Sequence, residues 1–224
     1  MTIHAYPIKM EISGNTAMFT RPDSGDCPVS YPAPTYSAVK AIFESILWGP
    51  AVMVIPTKVE ICTPVQYHSY HTNYGGPLRK TDAIRRGVNY QMLSTVLIDV
   101  CYKLHAVAVI NSAKKSYPEH ARHWDAKTTS PGHAYQAIFN RRLKNGQCYS
   151  IPVLGQKDFS PSYFGALRPE THVPENMPTI EIPSMLRQVF SKGYNSPVRY
   201  AYDQNIVIEN GVLLYPERGI QYAE

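Results

Sequence analysis

Four cysteines, at positions 27, 62, 101 and 148 of 224 residues, are too few and too scattered for a disulfide framework. No C-x-x-C pair occurs, which argues against a zinc ribbon or a dithiol redox motif. No apolar run approaches the roughly 18 residues of a membrane span. The opening MTIHAYPIKMEIS lacks the unbroken apolar core of a secretory signal. With only 17% charged residues, the chain has no acidic or basic disordered tail. Gly-rich phosphate loops, nucleophile elbows, H-E-x-x-H pairs and internal repeats are all missing, so nothing supports nucleotide hydrolysis or an acyl-transfer triad. The expectation is a soluble, reduced, cytoplasmic protein without membrane contact, metal or cofactor.

What is present is apolar and aromatic. The 44% hydrophobic content can build a real core, and 224 residues fit one large domain or two small ones. Seventeen tyrosines suit either contact with nucleic-acid bases or an ordinary β-rich protein. A net charge of +5 favours a polyanionic partner.

Residues 8–20 read as a half-buried strand. From Thr35 the period changes: Ala38, Val39, Ile42, Phe43, Ile46 and Leu47 form a helical stripe that Gly49-Pro50 ends. Residues 51–67 are strand-like again. Residues 67–90, centred on Gly75-Gly76-Pro77, are too polar for core and read as a projecting hairpin or loop. The longest β-like segment is 88–110. After a polar insertion at 111–130, Ser130 as N-cap, Pro131 at the first position and Gly146 at the end frame a second helix. Its inner face is expected at Ala134, Ala137, Ile138 and Leu143, and QCYSIPVLG is expected to follow as a strand.

The order β-α-β-β-α-β predicts an α+β fold, a ferredoxin-like (RRM-like) unit over residues 1–154 with a basic arm at about 67–90. Residues 155–224 are expected to form a small antiparallel β unit beside it, with Asn210-Gly211 marking a hairpin.

Arg79, Lys80, Arg85 and Arg86 crowd the arm against one acid, Asp82, with Tyr67, Tyr70, Tyr74 and Tyr90 interleaved. Positive charge beside stacking rings suits an unpaired or hairpin nucleic acid, without distinguishing RNA from DNA. Arg141, Arg142 and Lys144 line the second helix. The plain alternative for each cluster is a solvated face. His68/His71 and His120/His123 have ligand-like spacing but no carboxylate in register, so no metal site is expected. His133 opens the second helix, where backbone N–H groups favour an anion and an imidazole can exchange protons.

Three ordered blocks carry a family resemblance: SGNTAMFTRP, VSYPAPTYSAVKAIFESILWGP and IFNRRLKNGQCYSIPVLG, with a weaker echo in ENGVLLYPE. They resemble the CRISPR-associated Cas 5 proteins of subtype I-C. The resemblance implies a subunit of the type I-C surveillance complex that binds the repeat hairpin and 5′ handle of CRISPR RNA. It also implies metal-free cutting of precursor CRISPR RNA by 2′-hydroxyl attack, leaving a 2′,3′-cyclic phosphate, in antiviral defence. Arg21 of FTRP joins Arg79, Lys80, Arg85, Arg86, Arg141, Arg142 and Lys144 as expected RNA contacts. Possession of a DNA-directed activity is left open.

In members whose cutting is assigned, the chemistry belongs to a tyrosine of the first helix and a Lys-His pair before the second. Here Leu47 stands at the tyrosine, and Gly132-His133-Ala134 replaces the G-K-H run. Lys127 is the nearest lysine upstream, and Tyr135 lies close enough in sequence to serve as a proton donor. His133, Tyr135 and Lys127 are therefore the catalytic candidates. Two readings stand beside each other: a site rebuilt from neighbours, or a non-catalytic structural RNA-binding subunit. A general nucleic-acid binder is a third, weakened by the missing aromatic signature of RNA-recognition sheets.

Overall fold

In chain order the elements are β1 (Ile3–His4), β2 (Tyr6–Ala17), α1 (Tyr36–Ile46), β3 (Val52–Ile61), β4 (Tyr67–Tyr74), α2 (Thr81–Arg85) and β5 (Tyr90–Ile110). There follow α3 (Pro131–Lys144), β6 (Tyr163–Gly165), β7 (Ile180–Phe190), β8 (Val198–Glu209), β9 (Val212–Leu214) and β10 (Tyr222–Ala223). The computed structural model describes residues 3–74, 81–87, 90–112, 115, 117–119, 122, 129–190, 197–217 and 222–223.

One sheet runs β6-β2-β5-β3-β9-β8-β7, every neighbouring pair antiparallel, and β1 pairs in parallel with β10 apart from it. The 21-residue β5 is shared. Residues 97–108 pair with β2 and 102–110 with β3, while 90–97 pair with β4 from Tyr67↔Leu97 to Tyr74↔Tyr90. The arm is thus a prolongation of a core strand.

Thr35 caps α1 by accepting from the Ala38 N–H, and Tyr36, Val39, Ile42, Phe43 and Ile46 are buried. The stripe expected from the spacing is therefore the packed face, since every third or fourth residue points the same way. In α3 the packed positions are Gly132, Tyr135, Phe139 and Leu143, and Ala137 faces solvent. The expected inner face was rotated by part of a turn, because the bulky aromatics fill the seam where alanines would leave voids. The Phe43 and Phe139 rings meet 5.6 Å apart, so the two helices touch over the sheet.

The segment 147–155 is not a strand. Its Tyr149 and Ser150 N–H groups donate to the Ser45 carbonyl of α1, and Pro152 has no N–H to donate. Gly155 turns at φ +96, where a Cβ would collide with the Met18 carbonyl oxygen. The outer place beside β2 belongs instead to β6. At the other side β9 pairs with β3, so the C-terminal strands extend the first sheet. Asn210 (φ 49) and Gly211 (φ 71) make the β8–β9 turn where the Asn-Gly pair was expected. Among the described residues no helix is long and apolar enough to cross a membrane.

Candidate nucleic-acid interface

The FTRP corner is closed by its own backbone. Arg21 N–H donates to the Val29 carbonyl at 2.9 Å, Tyr31 N–H to Phe19 at 2.8 Å, and the Ser30 hydroxyl receives the Phe19 N–H at 3.0 Å. The Arg21 guanidinium grips Asp23 through two nitrogens, at 3.1 and 2.6 Å, and lies 6.0 Å over the Tyr31 ring. That contact holds the Asp23 carboxyl below its ordinary value.

On the arm, Tyr67, His68 and His71 are exposed, and the His68 and Tyr70 rings stack 6.4 Å apart at 13°. Three residues apart on a strand, His68 and His71 point to opposite faces. Arg85 and Arg86 are exposed on and just after α2, Arg86 donating to the Asp82 carbonyl at 3.2 Å. Arg79, Lys80 and Lys127 lie outside the described residues, as do His120 and His123. Among the described residues no cluster of three or more His, Cys, Asp or Glu could hold a metal.

The start of α3 is built on Tyr6. Its hydroxyl and that of Ser130 lie 3.1 Å apart, so the expected N-cap engages a tyrosine rather than the helix backbone. A Cβ on Gly132 would meet the Tyr6 ring at 2.5 Å, so glycine admits that close approach. His133 stands exposed beside it, its ring 6.1 Å from Tyr6 in an edge contact. Arg141 and Lys144 are exposed on the same side of the helix, with Ala137 and Asn140 between.

Two candidates turn inward. Tyr135 is 1% exposed and its hydroxyl donates to the Leu47 carbonyl. Burial pushes its phenol far up, and its hydrogen is engaged by that carbonyl. Arg142 is half-buried and donates to the Ile46 carbonyl at 3.0 Å, closing the end of α1. Leu47 itself is buried and carries no reactive group.

Sequence reasoning missed the interior charges. Glu11, fully buried, accepts from the Arg168 N–H (2.8 Å), the Arg168 Nε (2.7 Å) and the Thr171 hydroxyl (2.9 Å). Burial alone would raise its pKa, but these donors together hold it below the ordinary value. Arg187 pairs with Asp203 at 2.9 Å, both buried, and its guanidinium covers the Tyr36 ring at 3.8 Å. Glu11 and Arg168 are 157 residues apart, and no local pattern announces such a pair.

Residues 8–204 match the family described as CRISPR-associated protein Cas5, in its Cas5d form. A protein named CRISPR pre-crRNA endoribonuclease Cas5d, from Mannheimia succiniciproducens, is 30% identical over 175 residues, covering 71% of this chain and 72% of the relative. Another of the same name, from Thermus thermophilus, is 30% identical over 182 residues, covering 80% of this chain and 71% of the relative. A crystal structure of a CRISPR-associated protein superposes with a TM-score of 0.71 at 20% identity, over 97% of this chain and 95% of its own. A functionally uncharacterized protein from Streptococcus mutans does so with a TM-score of 0.68 at 17% identity, over 96% and 95%. These two likenesses show a shared fold alone.

Proposed function

This chain belongs to the Cas5d family of CRISPR-associated proteins, and on that premise we propose that it binds the repeat hairpin and 5′ handle of CRISPR RNA and cuts the precursor without a metal. The observation that carries this reading is the exposed side of α3, where His133 at the helix start shares a face with Arg141 and Lys144. An anionic strand laid along that face meets the helix N-terminus, then two cations. His133 is placed to take a proton from the 2′-hydroxyl or return one to the leaving 5′-oxygen, with Lys127 as the upstream cation. The new bond joins the 2′-oxygen to phosphorus, the bond to the 5′-oxygen breaks, and the products end in a 2′,3′-cyclic phosphate and a 5′-hydroxyl.

In this reading the protein works in the cytoplasm, within a type I-C surveillance complex, in antiviral defence. The strand order β6-β2-β5-β3 beneath α1 and α3 supports a ferredoxin-like core. Its fourth strand comes from beyond residue 154. The strands after β6 form the complementary β unit, and Arg21, Arg79, Lys80, Arg85 and Arg86 join the α3 cations as RNA contacts. Arg142 helps by holding α3 to α1.

One observation favours a non-catalytic structural role. Leu47 is buried at the position where cutting members carry tyrosine, and Tyr135 is spent on its carbonyl. Incubating the purified protein with a labelled cognate repeat hairpin in EDTA, beside His133→Ala, decides between the two. A single cut near the 3′ base of the stem, lost in the variant, is expected. Tight binding with no cut selects the structural role, and an undiminished cut in the variant removes His133 from the reaction. A DNA hairpin of the same sequence in a parallel tube tests DNA as a partner.

A further inference from the structure

At the root of the arm, the FTRP corner and β7 enclose a cavity of about 520 Å³ lined by Arg21, Asp23, Tyr31, Tyr67, Glu181 and Pro183, among others. Its size suits a small planar group with a short tail. The aromatic walls differ in exposure. Tyr31 is 4% exposed, and its hydroxyl accepts the Leu186 N–H at 3.1 Å, which fixes the ring. Tyr67 is 46% exposed and begins β4, the strand that continues into the arm. Both phenols lie within electrostatic reach of the Arg21 guanidinium.

The charges decide which part of a nucleic acid could enter. Arg21 is already matched by Asp23, at 2.6 Å, and Glu181 adds a second carboxylate to the lining. The formal balance is one positive against two negative groups, which repels a phosphate. The same carboxylates can accept the N–H donors that a base carries on its edge. Apolar walls and an aromatic ring favour a flat, weakly hydrated ring system. Backbone phosphates are left to the exposed arginines of the arm.

We propose that this cavity is a slot for one unpaired nucleobase of the bound RNA, stacked against Tyr67, with Asp23 or Glu181 accepting from its edge. The slot gives the chain a way to register a nucleotide, which phosphate contacts alone cannot do. It rests on the RNA-binding reading above, and the experiment separates the two.

Affinity for the labelled cognate repeat RNA is measured by anisotropy, against a panel in which each unpaired nucleotide is replaced singly by an abasic ribose. Wild type, Tyr67→Ala and Tyr67→Phe are compared. One abasic position is expected to weaken wild-type binding about 5- to 150-fold, the range for a base stacked on one ring. Tyr67→Ala should show the same loss with the intact RNA and no further loss at that abasic position. Tyr67→Phe, which keeps the ring, should bind like wild type. Ultraviolet crosslinking at that nucleotide should map to the peptide bearing Tyr67 or Tyr31. If every abasic RNA binds wild type as tightly as the parent, the slot is overturned while RNA binding stands. Unchanged affinity in Tyr67→Ala overturns it as well, and so does a proline-rich peptide that occupies the cavity without competing with RNA. Failure of wild type to bind any repeat RNA overturns the RNA-binding reading and the slot with it.

Discussion

The Tyr135 hydroxyl of α3 donates its hydrogen bond to the carbonyl of Leu47, the residue that ends α1. Beside it Arg142 donates to Ile46, so two α3 side chains satisfy carbonyls that the last turn of α1 leaves without partners. A phenol that reads in sequence as a proton donor is here a strut between helices.

Replacing Tyr135 by phenylalanine should therefore cost stability rather than chemistry. The Leu47 carbonyl would be left buried and unpaired, a loss of about 1–3 kcal/mol. Urea unfolding should show a lower midpoint, with RNA affinity and any cutting rate unchanged. A lower cutting rate at unaltered stability would return Tyr135 to the reaction.

Arg85 and Arg86 offer two exposed cations near the arm tip. Changing both to alanine should weaken repeat-RNA binding and lower the slope of log affinity against log salt by about two, as two released counterions require. Equal affinity and slope in the double variant would place the arm outside the interface.

Glu11 gives stability a pH dependence with a definite sign. Its folded pKa lies below the ordinary value of 4.5, so the unfolded chain takes up the proton first as pH falls. The contribution is whole above about pH 4.5 and is lost as pH drops through the depressed folded value. Glu11→Gln should be less stable than wild type at pH 7, with the gap closing below pH 4.5 in denaturant titrations. A gap of constant size down to pH 3 would mean that the charge of Glu11 does not hold Arg168.

Much of the helical layer was legible. Val39, Ile42, Phe43 and Ile46 repeat at helical spacing, and packing simply used the face they define. Asn210-Gly211 was legible for a local reason too, since both residues adopt positive φ. The segment 147–155 deceived because Ile151 and Val153 alternate like strand residues, although Ile151 is 68% exposed and the backbone bonds elsewhere. Within the site, Arg141 and Arg142 look equivalent in sequence. One position turns a helix by about 100°, which sends Arg142 toward α1 and leaves Arg141 in solvent. Glu11 was illegible because its donors arrive from the far end of the chain. The cavity beneath the arm was illegible for the same reason, since Tyr31, Tyr67 and Glu181 meet only after β7 is in place.

The placement of β6 against β2 and β9 against β3 has a temporal meaning. While the chain is being made, β2, β5 and β3 can assemble as soon as residue 110 emerges, but they do so with both outer strands unpaired. Bare strand edges invite pairing with other nascent chains. The last strand to protect them ends at residue 214, so one edge of the sheet stays unguarded while residues 111–214 are being added. A ribosome-bound chain stalled between those points should therefore be the form most dependent on chaperones.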